Sequence, residues 1–113
     1  SGWHLPSDAE WSILTEYLLG ESFAGGKLKE TGTTHWISPN NGATNEIDFT
    51  ALPGGGRYGT GSFHHMGHYG GWWTSTELDT DYSWDRGMSY DVCAISRRYG
   101  HKDWGFSVRC VRD

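Results

Sequence analysis

Residues 64–73 are the stretch whose side chains could most readily do chemistry. They read HHMGHYGGWW and place three histidines within five positions. His64 and His68 have the spacing of helical zinc motifs, but the neighbouring glycines disfavour a helix and no glutamate follows His64. Because a structural zinc takes four ligands and a catalytic zinc usually three, the sequence predicts no resident metal and no cofactor, only exposed loop imidazoles.

The acidic string DTDYSWDRG at 79–87 is the second candidate for metal chemistry. Asp79, Asp81 and Ser83 match positions 1, 3 and 5 of an EF-hand calcium loop. The glycine of the sharp turn is missing, however, and Tyr90 stands where the loop needs its last glutamate. The sequence therefore predicts no EF-hand, and a calcium-dependent lectin site stays an open alternative.

Nucleophilic and acid–base catalysis find little support. The sequence has no Gly-x-Ser-x-Gly elbow. Cys110 alternates with Phe106 and Val108 on what we expect to be a core-facing side, where thiols are usually inert, and Cys93 lacks a nearby cation to lower its pKa. The carboxylates between 77 and 85 could include a glycosidase-like pair, but acidic loops are commonly only solvated. We predict that the protein is not an enzyme.

The composition describes a small domain with an aromatic core. The chain has 113 residues, of which 35% are hydrophobic and 15% are aromatic. It contains 17 glycines. A chain of this length supports one domain, residues 1–113, and rings must supply much of the buried area. A net charge of −5 without a basic cluster argues against nucleic acid and anionic membranes, and no apolar run approaches the ~20 residues of a membrane span. Because the chain opens at Ser1 without Met, we expect an excised or processed domain.

A helix is predicted over residues 7–19. Ser7 and Glu10 have the spacing of a capping box, and Asp8 lies where the helix dipole favours a negative charge. An apolar stripe at positions i, i+3 and i+7 follows, and Gly20 suits the helix end. This helix is the strongest local signal in the chain.

Turn-forming residues dominate the middle of the chain, and strand signals appear at its end. A second short helix is predicted around Lys27–Glu30, although two preceding glycines weaken it, and Phe49, Ala51 and Leu52 are expected to be buried. The run at 105–111 alternates like a half-buried strand and is expected to form an antiparallel hairpin with 92–98. Together these elements predict an α+β fold.

Five segments carry a family resemblance. They are GWHLPSDAEW at 2–11, AGGKLKETGTTHW at 24–36, GATNEIDFTALPGG at 42–55, GWWTSTE at 71–77 and GFSVRCVRD at 105–113. In order and spacing these segments resemble the Fibrobacter succinogenes major paralogous domain, a bacterial module with a C-type-lectin-like fold that formylglycine-generating enzymes distantly share. The resemblance implies a capped N-terminal helix packed on a small antiparallel sheet with long irregular loops.

The resemblance also implies a binding role. Such domains often form one module of a larger adhesin-like protein, so we expect an extracellular or cell-surface location on a bacterium or phage and an unknown protein or glycan partner on a cell or phage surface. Some relatives are diversified by retroelements that mutate adenines, mostly in Asn codons. The residues between frame-like positions are the candidate ligand-binding set here: His64, His65, His68, Tyr69, Leu78, Thr80, Tyr82, Asp85, Arg98, His101 and Asp103.

The cysteines depart from the family pattern. Relatives usually carry a cysteine shortly before the GWHLP segment, which would suit Cys110 as a partner, whereas this chain starts at Ser1. Cys93 stands where the family has no fixed cysteine. A turn centred on His101 and Lys102 would place Cys93 opposite Cys110, but a disulfide also needs Cα atoms within about 7 Å, so we expect both thiols to be free.

The binding interpretation has a physical basis. Tyr, Trp and His offer large contact area with few rotatable bonds, so little entropy is lost when a partner immobilises them. Of Trp72 and Trp73, we expect one to pack inward and the other to lie nearer the surface. The sequence favours a non-catalytic ligand-binding face over residues 64–103, and the alternatives are a carbohydrate-binding lectin-type domain, a formylglycine-type oxidoreductase and a structural spacer.

Overall fold

The computed structural model describes residues 2–113 and is α+β, as the sequence predicts. Its elements in chain order are β1 (Trp3–His4), α1 (Asp8–Tyr17), α2 (Glu21–Leu28), β2 (Gly56–Arg57), β3 (Phe63–His64), β4 (Tyr69–Glu77), β5 (Tyr82–Ser89), β6 (Ile95–His101) and β7 (Val111–Arg112). They pair in three antiparallel sheets, β4–β5–β6, β2–β3 and β1–β7.

Helix α1 confirms the predicted N-terminal helix. Its capping box is complete, because the Glu10 N–H donates to Ser7 Oγ at 3.1 Å and the Ser7 N–H donates to Glu10 Oε1 at 2.9 Å. The helix ends with Leu18 as its C-cap, and Leu19 then takes a φ of 73°, which turns the chain away. Trp11 and Leu18 are buried in the core.

Helix α2 begins well before the short helix predicted around Lys27–Glu30 and ends within it, at Leu28. The two glycines that weaken the helical pattern, Gly25 and Gly26, lie buried inside it. A Cβ on Gly25 would collide with the carbonyl group of Ala94, and a Cβ on Gly26 would collide with that of Gly42. Close backbone packing therefore requires both glycines, at the cost of helix propensity.

The sheet β4–β5–β6 is the main platform. Its register places Trp73 opposite Asp85 and Asp85 opposite Arg98. Residues that are directly opposite each other on paired strands have their side chains on the same face, so these three share one face of the sheet. Met88 and Ile95 pair on the other face and are buried in the core that the helices cover.

The predicted terminal hairpin is wrong. Strand β6 pairs with β5, and residues 105–110 make only isolated bridges, Gly105 with Arg57 and Ser107 with Trp72. Strand β7 then pairs with β1, so that the two ends of the described chain meet. An alternating pattern indicates extended chain, but it does not specify which strand is the partner.

The last segment is also less buried than its pattern predicts. Phe106 is half-buried against Trp73, with ring centroids 5.0 Å apart, but Val108 and Cys110 are exposed. The register that would align Cys93 with Cys110 does not form, because β6 is paired elsewhere. Both thiols are free, and Cys93 is half-buried.

Aromatic rings build much of the core, as the composition predicts. The ring of Phe49 lies between Trp11 and Trp72, at centroid distances of 5.9 and 6.4 Å. Trp72 is buried and Trp73 is half-buried, which agrees with the expected division of this pair. Ala51 is buried as predicted. The prediction for Leu52 is wrong, because its side chain is 45% exposed.

Two buried cations join the helical region to the sheet. Lys29 directly follows α2 and is fully buried, and its ammonium donates to the backbone carbonyls of Asn41, Ser89 and Val92 at 2.9, 2.8 and 3.1 Å. Burial lowers the pKa of Lys29. The three carbonyls come from two segments far apart in sequence, one at Asn41 and one at 89–92, so one side chain holds these two segments together.

The second buried cation is Arg86 on β5. Its Nη1 donates to Asp8 Oδ1 at 2.7 Å, and its Nη2 donates to the Asp8 carbonyl at 3.0 Å. Arg97 also pairs with Asp8, at 2.8 Å. The hydrogen bonds from Arg97 and then Arg86 hold the pKa of Asp8 below its ordinary value. This network attaches the first turn of α1 to the sheet.

Candidate functional site

Five of the predicted site residues line one cleft. The cleft has a volume of about 750 Å³ and is formed where the chain at 58–68 meets the start of β4, the end of β5 and the middle of β6. Its lining combines the predicted His64, His65, His68, Tyr69 and Arg98 with Tyr58, Ser89, Tyr90 and Asp91. We call this set the cleft. Its walls are mostly rings, and Arg98 and Asp91 are its charged members.

A second group of predicted residues lies at the far end of β5 and β6. Thr80, His101 and Asp103 line a smaller depression of about 420 Å³. The Tyr82 ring lies 4.4 Å from the His101 ring, and the Leu78 N–H donates to the Tyr82 carbonyl at 3.0 Å. The structure therefore brings these five predicted positions together as well.

A continuous row of rings connects the two groups. Tyr58 lies 5.9 Å from His64, 6.1 Å from His65 and 5.0 Å from Trp104, and Trp104 lies 5.1 Å from His101. We call this the aromatic row, and its members are His65, His64, Tyr58, Trp104, His101 and Tyr82. The predicted residues at its two ends thus belong to one contiguous surface.

Sequence reasoning missed Tyr58 and Trp104, which form the middle of the row. Both are half-buried and stand in polar, glycine-containing loops, GGGRYGTG and YGHKDWG. An aromatic residue in such a loop has no aliphatic sequence neighbours to pack with. This isolation was the available signal that the two rings could belong to the contact surface. Their contact joins two segments that are 46 positions apart in the chain (104 − 58). Local sequence patterns do not reveal such a contact.

Asp85 does not belong to the displayed set. The sequence predicts it as an exposed ligand-binding residue, but it is 0% exposed, because its side chain points to the sheet face that Trp104 and the cleft residues cover. Within residues 2–113 neither carboxylate oxygen accepts a hydrogen bond, and the nearest cation is Arg98, whose Nε lies 4.0 Å from Oδ1. Burial raises the pKa of Asp85 to about 6, against the opposing effect of Arg98.

Tyr69 is likewise only partly available. Burial raises the pKa of its phenol to about 12, and among the described residues the hydroxyl has no hydrogen-bond partner. The Arg98 guanidinium lies 5.2 Å from the centre of its ring. Gly87 makes room for the phenol, since a Cβ there would collide with the Tyr69 hydroxyl. Tyr69 and Arg98 form the floor of the cleft, and Asp85 lies buried next to Arg98 beneath it.

Replacing Asp85 with asparagine is expected to stabilise the protein at neutral pH. A raised folded-state pKa means that the folded protein holds the proton more tightly than the unfolded chain, so ionisation of Asp85 lowers stability as the pH rises from about 4 to about 6. The change from the ordinary value of 3.8 to about 6 corresponds to at most roughly 3 kcal/mol, because a tenfold change in proton affinity is worth about 1.4 kcal/mol. We expect the Asp85→Asn variant to gain about 1–3 kcal/mol near pH 7.5 and little near pH 4, as measured by urea denaturation.

The matched control is Asp48→Asn, which neutralises an exposed carboxylate outside the cleft and should change stability little at either pH. A less stable Asp85→Asn variant near pH 7.5 would contradict the prediction. It would mean that the attraction of Arg98 outweighs the burial of the carboxylate.

The remaining acidic residues of this region do not converge. Glu77 pairs with Lys102 at 2.7 Å, and Asp79 Oδ1 accepts the N–H groups of Asp81 and Tyr82 at 2.9 and 3.0 Å. Across residues 2–113 no three His, Cys, Asp or Glu side chains are grouped so that they could hold a metal ion. The arrangement is suited to stacking and hydrogen bonding.

The fold and this surface define an α+β domain with a ring-lined cleft at one end of its sheet. Comparison with protein families matches residues 1–112 to the Fibrobacter succinogenes major domain. The chain belongs to this family, as its five segments predict. No curated protein and no solved structure matches it. Neither α1 nor α2 has the length and apolar character of a membrane-spanning helix.

Proposed function

We propose that this domain is a non-catalytic, extracellular ligand-binding module that uses the cleft and the aromatic row as its contact surface. The observation that carries the proposal is the continuity of this surface. Rings from the loop at 58–65, from β5 and β6, and from the loop at 101–104 contact one another in sequence, with centroid separations between 4.4 and 6.1 Å.

The physical reason is the low entropic cost of immobilising such side chains. Tyr, His and Trp each lose only about two rotatable bonds on binding and bring a large amphipathic area. Neighbouring rings also restrain one another, as Tyr82 and Tyr99 do at 5.5 Å, so that part of this order exists before any ligand arrives. A partner would therefore meet a largely preorganised surface.

We further propose that the fold is C-type-lectin-like and that the exposed positions are the diversified ones. The helices cover one face of β4–β5–β6, and long loops without regular structure supply the opposite side. Most candidate positions lie at strand ends or in loops, where a substitution disturbs little packing. Asp85 is outside this set, and Tyr69 lies at its boundary.

Replacing the four exposed imidazoles His64, His65, His68 and His101 and the half-buried Tyr82 with alanine is expected to abolish binding while the melting temperature falls by no more than about 5 °C. Tyr69 is kept, because its ring is largely buried. The probes are peptides selected from a phage-displayed random library on the immobilised domain, and a glycan array read with and without EDTA. Binding is compared by surface plasmon resonance.

The matched control removes exposed apolar side chains from the helical side, with Ile13, Tyr17 and Phe23 changed to alanine. This control should retain all binding. Ligands that bind the five-ring variant as tightly as the unchanged domain would contradict the proposal. Glycan binding that EDTA abolishes would instead support a calcium-dependent lectin.

A further inference from the structure

Three buried polar atoms without partners lie at the floor of the cleft or directly beneath it. They are the Tyr69 hydroxyl and both carboxylate oxygens of Asp85. In the described part of the chain, the other such side-chain atoms are Trp11 Nε1 and Asn40 Oδ1, which line no part of the cleft. Because buried polar groups are nearly always hydrogen-bonded, a local group of three calls for a donor from outside the chain.

Arg98 lies beside these atoms but does not satisfy them. Its Nε is 4.0 Å from Asp85 Oδ1, which is beyond hydrogen-bonding distance. Its side chain is 43% exposed. Its contacts in the cleft are long, the ion pair at 4.0 Å and the Tyr69 ring at 5.2 Å, so a competing cation could replace them. Arg98 is the cleft side chain that such a cation would displace from Asp85.

The walls above this floor suit a cation. Tyr58, Tyr69 and Tyr90 line the cleft, and tyrosine rings attract ammonium and guanidinium groups placed over their faces. With Asp85 ionised, two carboxylates, Asp91 in the cleft and Asp85 beneath it, face the single guanidinium of Arg98. These charges favour a cationic ligand over an anionic one.

We infer that the floor of the cleft receives the ammonium or guanidinium group of a lysine or arginine side chain from a protein partner, which displaces Arg98 and donates to Asp85. This inference rests on the proposed function and names the chemistry of its ligand. The Tyr69 hydroxyl can accept a further hydrogen bond from the same group. The volume of about 750 Å³ accommodates such a side chain together with its flanking backbone.

An anionic ligand fits the floor less well. It would pair with Arg98, but it would leave Asp85 and Tyr69 without donors and would bring a negative charge towards a buried carboxylate. The two ligand classes also respond oppositely to the loss of Arg98. Removing this guanidinium favours a cation and disfavours an anion, and the experiment below uses this difference.

The probes are Nα-acetyl-lysine methylamide and Nα-acetyl-arginine methylamide, titrated into the whole domain near pH 7.5 and followed by NMR. Neutral counterparts, with Nε-acetyl-lysine or citrulline as the side chain, and the corresponding glutamate derivative serve as comparisons. We expect millimolar binding of the two cations and at least about tenfold weaker binding of the neutral and anionic probes, since a tenfold change corresponds to about 1.4 kcal/mol.

Three variants complete the test. Asp85→Asn should weaken cation binding at least tenfold although the protein becomes more stable, so unfolding cannot explain the loss. Arg98→Gln should strengthen cation binding several-fold. Glu16→Gln neutralises an exposed carboxylate on α1, outside the cleft, and should change nothing.

Several results would overturn the inference. They are equal binding of the neutral probes, preferred binding of glutamate that is lost in Arg98→Gln, unchanged binding in Asp85→Asn, and no binding of either cation. The proposed function fails separately. Library peptides that need the aromatic row but contain no required Lys or Arg would remove this inference and leave the binding role intact, whereas an absence of any ligand that depends on the row would remove both.

Discussion

Replacing Lys29 with methionine is expected to lower the free energy of unfolding by about 3–5 kcal/mol. The variant loses three hydrogen bonds from a charged donor, each worth roughly 1.5–3 kcal/mol, and leaves the partly buried carbonyls of Asn41, Ser89 and Val92 without this donor. Part of this loss is offset because no charge has to be buried. Since domains are stable by only about 5–15 kcal/mol, urea denaturation should show a large shift of the midpoint.

Lys27→Met is the matched control, because it makes the same change two residues earlier on a half-buried side chain that holds no such carbonyls. It should alter stability by less than about 1 kcal/mol. If both variants lose equal stability, the three carbonyls do not depend on Lys29. The importance of Lys29 would then lie in its aliphatic stem alone.

Replacing Asp8 with alanine should be about as damaging, at roughly 3–5 kcal/mol, because it leaves Arg86 buried without its counter-ion. Arg86 is 2% exposed, so water cannot take over the role of the lost carboxylate. The effect depends on pH in a defined direction. The folded-state pKa of Asp8 is lowered, so its contribution is complete above the ordinary value of 3.8 and is lost as the pH falls below that.

The measurement is a pair of urea titrations near pH 7 and pH 3. The difference in free energy of unfolding between the unchanged domain and the variant should be complete near pH 7 and reduced near pH 3. Glu16→Ala provides the control, since this carboxylate is on the same helix, exposed and without an ion pair in the described chain. The double variant Asp8→Ala/Arg86→Met should recover much of the lost stability, because removing both charges leaves no buried ion unpaired. Equal losses in the single and double variants would show that Arg86 does not depend on Asp8.

These two predictions concern the scaffold of the molecule, which meets the candidate site at Ser89, a lining residue of the cleft whose carbonyl accepts a hydrogen bond from Lys29. Lys29 and the Asp8–Arg86 pair stabilise the packing of helices and loops against β5, whereas the aromatic row lies on loops and at strand ends. A scaffold held by its own buried network can tolerate changes at such exposed positions. Asp85 is the exception, because it is buried in the sheet and also lies beneath the cleft, next to Arg98.

Local signals in the sequence predicted helix α1 well, since both the capping box and the apolar stripe are confined to a few neighbouring residues. The same kind of reasoning misplaced α2, because Gly25 and Gly26 weaken a helix locally and are required by backbone packing against Ala94 and Gly42. It also paired residues 105–111 with the wrong strand. Alternation is a local property, but the choice of partner depends on contacts across the whole chain.

The sequence by itself determined the family of this protein, its aromatic core, its first helix and most of the side chains on the candidate contact surface. Only the tertiary structure decided how they are arranged. It inserted Tyr58 and Trp104 into the row, exposed Leu52 and Cys110, and buried Asp85 beneath Arg98. The physical reason is that burial and ring contacts arise from strand register and loop crossings between distant segments, which residue types and spacing do not encode locally.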